Sequence, residues 1–180
     1  MSPPGRQLLD EQQMGRALQR MASEIVEKCG GTANLILVGI QRRGVELSER
    51  LARLIEQNHG SVRRGKLDIT LYRDDLQQIG PRPVVGETSL PRDVDGATVV
   101  IVDDVLYTGR TVRAALDEFA DFGRPKRILL CVLVDRGGRE LPIHPDIVGT
   151  TVTAAPGERV DVSVRELDGR DTVDLVRGDG

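Results

Sequence analysis

The sequence predicts an α/β fold, a single domain over residues 1–180 with a mostly parallel central sheet flanked by helices. Three observations predict it. Aliphatic runs at 35–40, 98–102 and 128–134 do not alternate with polar residues, as in strands buried on both faces. From residue 35 onward the periodicities run strand, helix, strand, strand, helix, strand. Finally, 180 residues with 39% apolar content suit one core. A chain of this size buries roughly 70% of the surface it exposes when unfolded.

The elements follow in order. Asp10 predicts a helix N-cap, with Gln13 as its capping-box partner. Met14, Ala17, Leu18, Met21, Ala22, Ile25 and Val26 recur at helical spacing, and Gly30-Gly31 stops the helix. Residues 35–40 form a buried strand, and Gln41-Arg42-Arg43-Gly44 a loop. Residues 45–56 form a second helix, with Val45, Leu47, Leu51, Leu54 and Ile55 on its apolar face. Residues 67–72 alternate and predict a strand. Residues 73–96 are polar and broken by Gly80, Pro81, Pro83, Gly86 and Pro91. So long a loop in a compact domain points to a lid or a binding loop. A strand at 98–102 leads through a loop at 103–110 into a helix at 111–121, ended by Gly123. A strand at 128–134 follows, then a short one at Ile147-Val148. Two β-prone runs, 160–164 and 172–176, flank Asp168-Gly169 and predict a C-terminal β-hairpin.

Composition excludes several classes. A net charge of −3 with 29% charged residues is too little for intrinsic disorder. No run approaches the ~18 apolar residues of a membrane helix. Residues 1–6 lack the apolar stretch of a signal peptide. Cys29 and Cys131 have no metal-ligand spacing. A cytoplasmic setting is expected. The aromatics are Tyr72, Tyr107, Phe119 and Phe122, too few for a base-stacking sheet. Apart from Lys28, Lys66 and Lys126 the basic residues are arginine, whose planar fork suits phosphate and carboxylate. Net acidity argues against bulk nucleic-acid binding but leaves room for a local basic face.

In such sheets ligands bind beyond the carboxyl ends of the strands. The loops at 41–44, 103–110 and 135–139 sit there. The sharpest feature is Val99-Val100-Ile101-Val102-Asp103-Asp104-Val105-Leu106-Tyr107-Thr108-Gly109-Arg110-Thr111. A hydrophobic strand delivers two carboxylates to its end, and a Thr-Gly-Arg-Thr turn opens a helix. The turn offers N–H groups, hydroxyls and a helix N-terminus for a phosphate. The carboxylates are acceptors for vicinal hydroxyls. A ribose 5-phosphate needs both. Gly39 and Gly44 have the glycine spacing of a P-loop, but Val45 and Glu46 follow, so that motif is absent. Neither candidate phosphate loop carries the dinucleotide fingerprint.

This segment resembles the 5-phosphoribosyl-1-pyrophosphate (PRPP) motif of type I phosphoribosyltransferases. The stretches 67–75, 132–137 and 139–143, with Val38-Gly39-Ile40 and Arg43-Gly44, resemble the bifunctional pyrimidine operon attenuator/uracil phosphoribosyltransferase family, PyrR. The resemblance runs from about residue 10 to 149. It implies a type I phosphoribosyltransferase fold, with a flexible hood at about 73–96, and transfer from PRPP to uracil with Mg²⁺, giving UMP and pyrophosphate. Asp103 and Asp104 would take the ribose hydroxyls, and Tyr107 to Thr111 the 5-phosphate. Gln41, Arg42, Arg43 and Gly44 would form the pyrophosphate loop, with Arg73 joining from the hood. Val134, Asp135 and Arg136 would hold the base. Mg²⁺ would be held mainly by substrate oxygens, near the two aspartates. A homo-oligomer is implied as well.

The resemblance also implies UMP-responsive binding of pyrimidine operon mRNA through Arg20, Lys28 and Arg139. Arg139→Ala is expected to weaken RNA binding and to leave the PRPP motif untouched. The chain departs from the family at Gln19 (usually threonine), Ser23 (often histidine), Gly138 (usually histidine) and residues 150–155. Alternatives are a nucleotide-binding regulator with little turnover, or a phosphoribosyltransferase for another base.

Overall fold

The computed structural model describes residues 5–69 and 88–178. Most of the hood segment, with Arg73, therefore lies outside the described residues. Among these residues lie strands β1 (Arg6–Leu9), β2 (Leu35–Ile40), β3 (Arg63–Leu67), β4 (Thr98–Leu106), β5 (Arg127–Asp135), β6 (Ile147–Thr151), β7 (Glu158–Ser163) and β8 (Thr172–Arg177), and four helices. These are α1 (Glu11–Cys29), α2 (Arg43–Glu56), α3 (Arg110–Phe119) and the single turn α4 (Arg165–Asp168). Five strands form a parallel sheet in the order β3-β2-β4-β5-β6; β1, β8 and β7 form a small antiparallel one.

Strand alternation divides the core. Leu35, Leu37, Val100, Val102, Cys131 and Leu133 meet α1, α2 and the inner face of the antiparallel sheet. Ile36, Val38, Val99, Ile101, Leu130 and Val132 meet α3. The non-alternating sequence of these strands is thus explained by apolar partners on both sides. The capping box starts α1: the Gln13 amide donates to Asp10 Oδ1 at 2.8 Å, and the Asp10 amide to Gln13 Oε1 at 2.9 Å.

Four elements differ from the sequence expectation. The third strand lies at Arg63–Leu67, in parallel register with β2; residues 68–69 of the expected 67–72 strand are not strand, and 70–72 lie outside the described residues. Arg63, Arg64 and Lys66 are tolerated there because the strand is at the sheet edge. β4 continues past Val102 to Leu106, so both aspartates lie in the strand and not in a loop. Helix α2 starts at Arg43, placing half of the expected 41–44 loop in its first turn. The C-terminal pair β7–β8 is antiparallel as expected, but α4 connects it in place of a tight Asp-Gly turn. β1 carried no readable signal and pairs with β8.

Helix α2 packs on β2 through Gly39. A Cβ there would lie 2.5 Å from the Val45 Cα and 2.6 Å from the Gly44 carbonyl oxygen. Gly39→Ala is expected to destabilise the protein by about 1–3 kcal/mol, as overpacking does. Gly15, inside α1, is the opposite case: a Cβ on it would meet nothing within 4 Å. Gly15→Ala is expected to stabilise by roughly 0.5–1 kcal/mol. Urea denaturation of the two variants checks the contrast.

Candidate active site

β4 brings Asp103 and Asp104 to the carboxyl end of the sheet. The Asp103 Oδ1 accepts from the Asp104 amide at 2.9 Å, and Asp104 Oδ1 from the Val105 amide at 2.8 Å. Asp103 is buried, whereas Asp104 is partly exposed. Burial pushes the Asp103 carboxyl well above the usual carboxylate range; the neighbouring Asp104 carboxylate pushes it the same way. The Asp104 amide opposes them and loses.

After Leu106 the chain turns at Gly109, whose φ of 95° favours glycine and whose missing Cβ leaves room for Ile143. α3 begins there with no side-chain cap and no acidic residue in its first turn. The Arg110 amide donates to Thr108 Oγ1 at 3.2 Å, and the helix N-terminus favours an anion beside this turn. The turn is stitched to the 135–143 loop. The Glu140 and Leu141 amides donate to the Thr108 carbonyl at 3.0 and 3.1 Å, and the Arg136 amide to the Leu106 carbonyl at 3.1 Å. Arg110 Nε meets Glu140 Oε2 at 2.8 Å. The Arg136 guanidinium stacks over the Tyr107 ring at 3.7 Å and donates to the Glu158 carbonyl at 3.2 Å.

The three expected base-binding residues are adjacent but differ in access. Val134 is fully buried, and its side chain belongs to the core. The Asp135 carbonyl accepts from the Val152 amide at 2.9 Å, and Asp135 Oδ1 from the Gly137 amide at 3.0 Å. A carbonyl keeps a second lone pair, so the strand end still offers acceptors.

The 41–44 segment faces the same strand end. Gly44 is buried, and a Cβ on it would lie 2.5 Å from the Val102 carbonyl oxygen. Arg42 is exposed at the start of α2, after a cis Gln41–Arg42 peptide. Arg43 pairs with Asp168 of α4 at 2.8 Å, a partner the sequence did not reveal because Asp168 read as half of a turn. That hydrogen bond raises the Arg43 pKa above its ordinary value; Asp104 adds to the shift by its charge.

The expected RNA-binding residues do not all share one environment. Arg20 and Lys28 lie exposed on α1, where Arg20 Nη2 donates to the Gly149 carbonyl and Lys28 Nζ to that of Asp146. Gln19 and Ser23 line a hollow between α1 and the end of α2, beside His59. Arg139 is an internal clamp instead. Its guanidinium donates to Asp135 Oδ2 at 2.7 Å and to the Tyr107 and Ile143 carbonyls, both at 2.9 Å. The expectation that Arg139→Ala leaves the 99–111 motif untouched is therefore corrected: Tyr107 belongs to that motif. Burial would push the Asp135 carboxyl up, but the Arg139 and Gly137 bonds outweigh it and hold it below its ordinary value.

Comparison with known proteins settles the lineage. The family of the phosphoribosyl transferase domain matches residues 4–166. A protein named "Bifunctional protein PyrR" from Chloroflexus aurantiacus is 56% identical over 96% of both chains. Another of that name from Thermus thermophilus is 55% identical over 97% of each. The chain belongs to the PyrR family. Solved structures give the same fold at low identity. The hypoxanthine phosphoribosyltransferase of Trypanosoma cruzi matches with a TM-score of 0.74 at 20% identity, over 96% of this chain and 95% of that one. The Bacillus anthracis hypoxanthine-guanine enzyme matches at 0.69 and 17%, over 95% and 97%. The type I phosphoribosyltransferase fold is thus present in this PyrR-family chain.

The buried Asp103 has a stability consequence. Its folded-state pKa is raised, so the folded chain binds a proton that the unfolded chain has already lost. Stability is therefore lost as pH rises from the ordinary carboxylate range through that raised value. Asp103→Asn removes the penalty. It is expected to raise Tm by a few degrees at pH 7 and to give no gain near pH ~3, where both states are protonated. Thermal melts at the two pH values check this.

Proposed function

We infer that this chain transfers phosphoribosyl from PRPP to uracil, releasing pyrophosphate and forming UMP, and acts in the cytoplasm. The observation that carries this is the Asp103-Asp104 strand end followed by the Gly109 turn into α3, in a chain more than half identical to PyrR proteins over nearly its whole length. Asp104, partly exposed, accepts from the ribose hydroxyls; Asp103, buried beneath it, fixes the strand end. The 5-phosphate sits on the Tyr107 to Thr111 turn. As the bond from the anomeric carbon to pyrophosphate breaks, the sugar gains positive charge, which the Asp104 carboxylate stabilises. Arg42 and Arg43 face the leaving pyrophosphate. Arg73 is proposed to join them; it lies outside the described residues. Uracil packs at Val134, Asp135 and Arg136, against the Arg136–Tyr107 stack. Tyr107 stands where many purine transferases of this fold carry a carboxylate, which favours a pyrimidine.

Among the described residues no group of three or more acidic, imidazole or thiol side chains is gathered around one point. The adjacent carboxylates of Asp103 and Asp104 fit an ion such as Mg²⁺, which keeps its waters and takes one or two carboxylates plus substrate oxygens. Asp104, with Asp103 behind it, would hold it. When bound, Mg²⁺ supplies positive charge to the departing pyrophosphate.

Asp104→Asn is expected to lower kcat/KM by about 10²–10³, as loss of one preorganised electrostatic group does, while the fold survives. A pyrophosphate-release assay with PRPP, Mg²⁺ and each base in turn measures it. The same assay tests whether uracil is preferred. UMP binding without turnover on any base marks a regulator instead.

The regulatory half of the proposal is UMP-responsive binding of pyrimidine operon mRNA. Arg20 and Lys28 on α1 supply the basic face, and Arg139 acts through the loop it clamps. A leader hairpin is expected to bind more tightly with UMP, and binding should weaken with salt at a slope of about −0.7 per phosphate contact on single strands. Filter binding with and without UMP, against an unrelated hairpin, tests this. Equal binding of both hairpins refutes it.

A further inference from the structure

The connector α4 is one helical turn, yet its acidic neighbourhood grips α2 at two points. Glu166 and Asp171 both meet Arg50 at 2.7 Å. Asp168 meets Arg43, with Oδ1 2.8 Å from Nη2 and Oδ2 3.2 Å from Nε. Arg43 and Arg50 lie about two turns apart on one helix, so the connector docks along α2. The Arg50 site fixes the dock: its side chain is 18% exposed and saturated by two carboxylates. The Arg43 site lies at the other end, where α2 meets the 41–44 segment.

Arg43 needs a holder there. A cation in the first turn of a helix is disfavoured by the helix dipole. A free arginine also samples many rotamers, and ordering it on ligand binding costs entropy. Asp168 occupies the Nε and Nη2 edge in a fork-to-fork pair, which leaves Nη1 for an anion. Asp104, at the strand end, lies within electrostatic reach of the same guanidinium.

We propose that Asp168 is a positioning residue that holds the Arg43 guanidinium in the orientation that receives the pyrophosphate group of PRPP. The C-terminal connector, outside the PRPP motif, thus preorganises the anion site of the reaction. This rests on the phosphoribosyl reading above. Asp168 has a local role as well, since Oδ2 accepts from the Val164 amide at 2.8 Å. Asp168→Asn keeps an oxygen for that amide and removes the charge facing Arg43. Asp168→Glu restores the charge.

Calorimetric titration with PRPP, with pyrophosphate (each with Mg²⁺) and with UMP separates the roles. Asp168→Asn is expected to weaken PRPP and pyrophosphate about tenfold, the scale of a charge-assisted hydrogen bond, and to leave UMP unchanged because UMP lacks the pyrophosphate. KM for PRPP should rise more than kcat falls, and Asp168→Glu should recover part of the loss. In an Arg43→Ala background Asp168→Asn should add nothing. Equal loss of PRPP and UMP, or the same loss in both backgrounds, makes Asp168 structural and overturns the proposal. If Asp168→Asn does not fold, an Arg43→Ala protein with unchanged pyrophosphate affinity overturns it equally. Wild-type protein that binds UMP but neither PRPP nor pyrophosphate overturns the phosphoribosyl reading itself, and this inference with it.

Discussion

The N-terminus of α2 lies directly on β4, with no side chain between the two backbones. A Cβ on Gly44 would sit 2.5 Å from the Val102 carbonyl oxygen and 3.3 Å from the Asp103 Cα. Gly39 makes the same allowance one layer earlier, against Val45 and Gly44. This approach sets the distance between the arginines of 41–44 and the carboxylates of β4. Any methyl in the gap moves one group away from the other. Under the proposed function, substrate charge of both signs would be met in one place: positive sugar by Asp104, negative pyrophosphate by the arginines.

Holding such a site together costs stability at one point and recovers it at others. Asp103 is buried with a like charge beside it, an arrangement unfavourable in the empty protein. Around it the loops are tied down by bonds to charged groups. Arg139 binds Asp135, Tyr107 and Ile143; Arg110 binds Glu140; Arg43 binds Asp168. The bonds of Arg139 to Tyr107, Arg110 to Glu140 and Arg43 to Asp168 connect segments far apart in sequence, so these loops are held together before any ligand arrives.

What the sequence revealed follows from what is local. Continuous aliphatic runs marked β2, β4 and β5 because a strand buried on both faces has no polar side to show. The Asp10–Gln13 capping box was legible for the same reason: both partners lie within one turn. The position of β3 was not, because its residues are charged and only its pairing with β2 makes it a strand. Nor was the partner of Arg43, since Asp168 lies at the other end of the chain and its Asp-Gly context reads as a turn. The glycine pair Gly39 and Gly44 has P-loop spacing without the rest of that motif. Its physical role is close approach, which a spacing alone does not distinguish from phosphate binding.

The same logic bears on Gly138, where the family usually carries histidine. Its φ is +79°, and a Cβ would lie 2.5 Å from Tyr107 Cε2. With glycine there, the Tyr107 ring lies against the loop backbone while the Arg136 guanidinium covers it at 3.7 Å. A side chain at 138 and this position of the ring exclude each other. A side chain at 138 would require the half-exposed Tyr107 ring to swing aside. Arg139, the next residue, donates to the Tyr107 carbonyl and to Asp135 at once. Under the proposed function a phosphate on the 107–111 turn and a base at 134–136 would adjoin the two segments that Arg139 ties together. Under the proposed function, that arginine lets the loop carry nucleotide occupancy to the RNA. Linkage requires the effect to run both ways, RNA favouring the nucleotide as the nucleotide favours RNA.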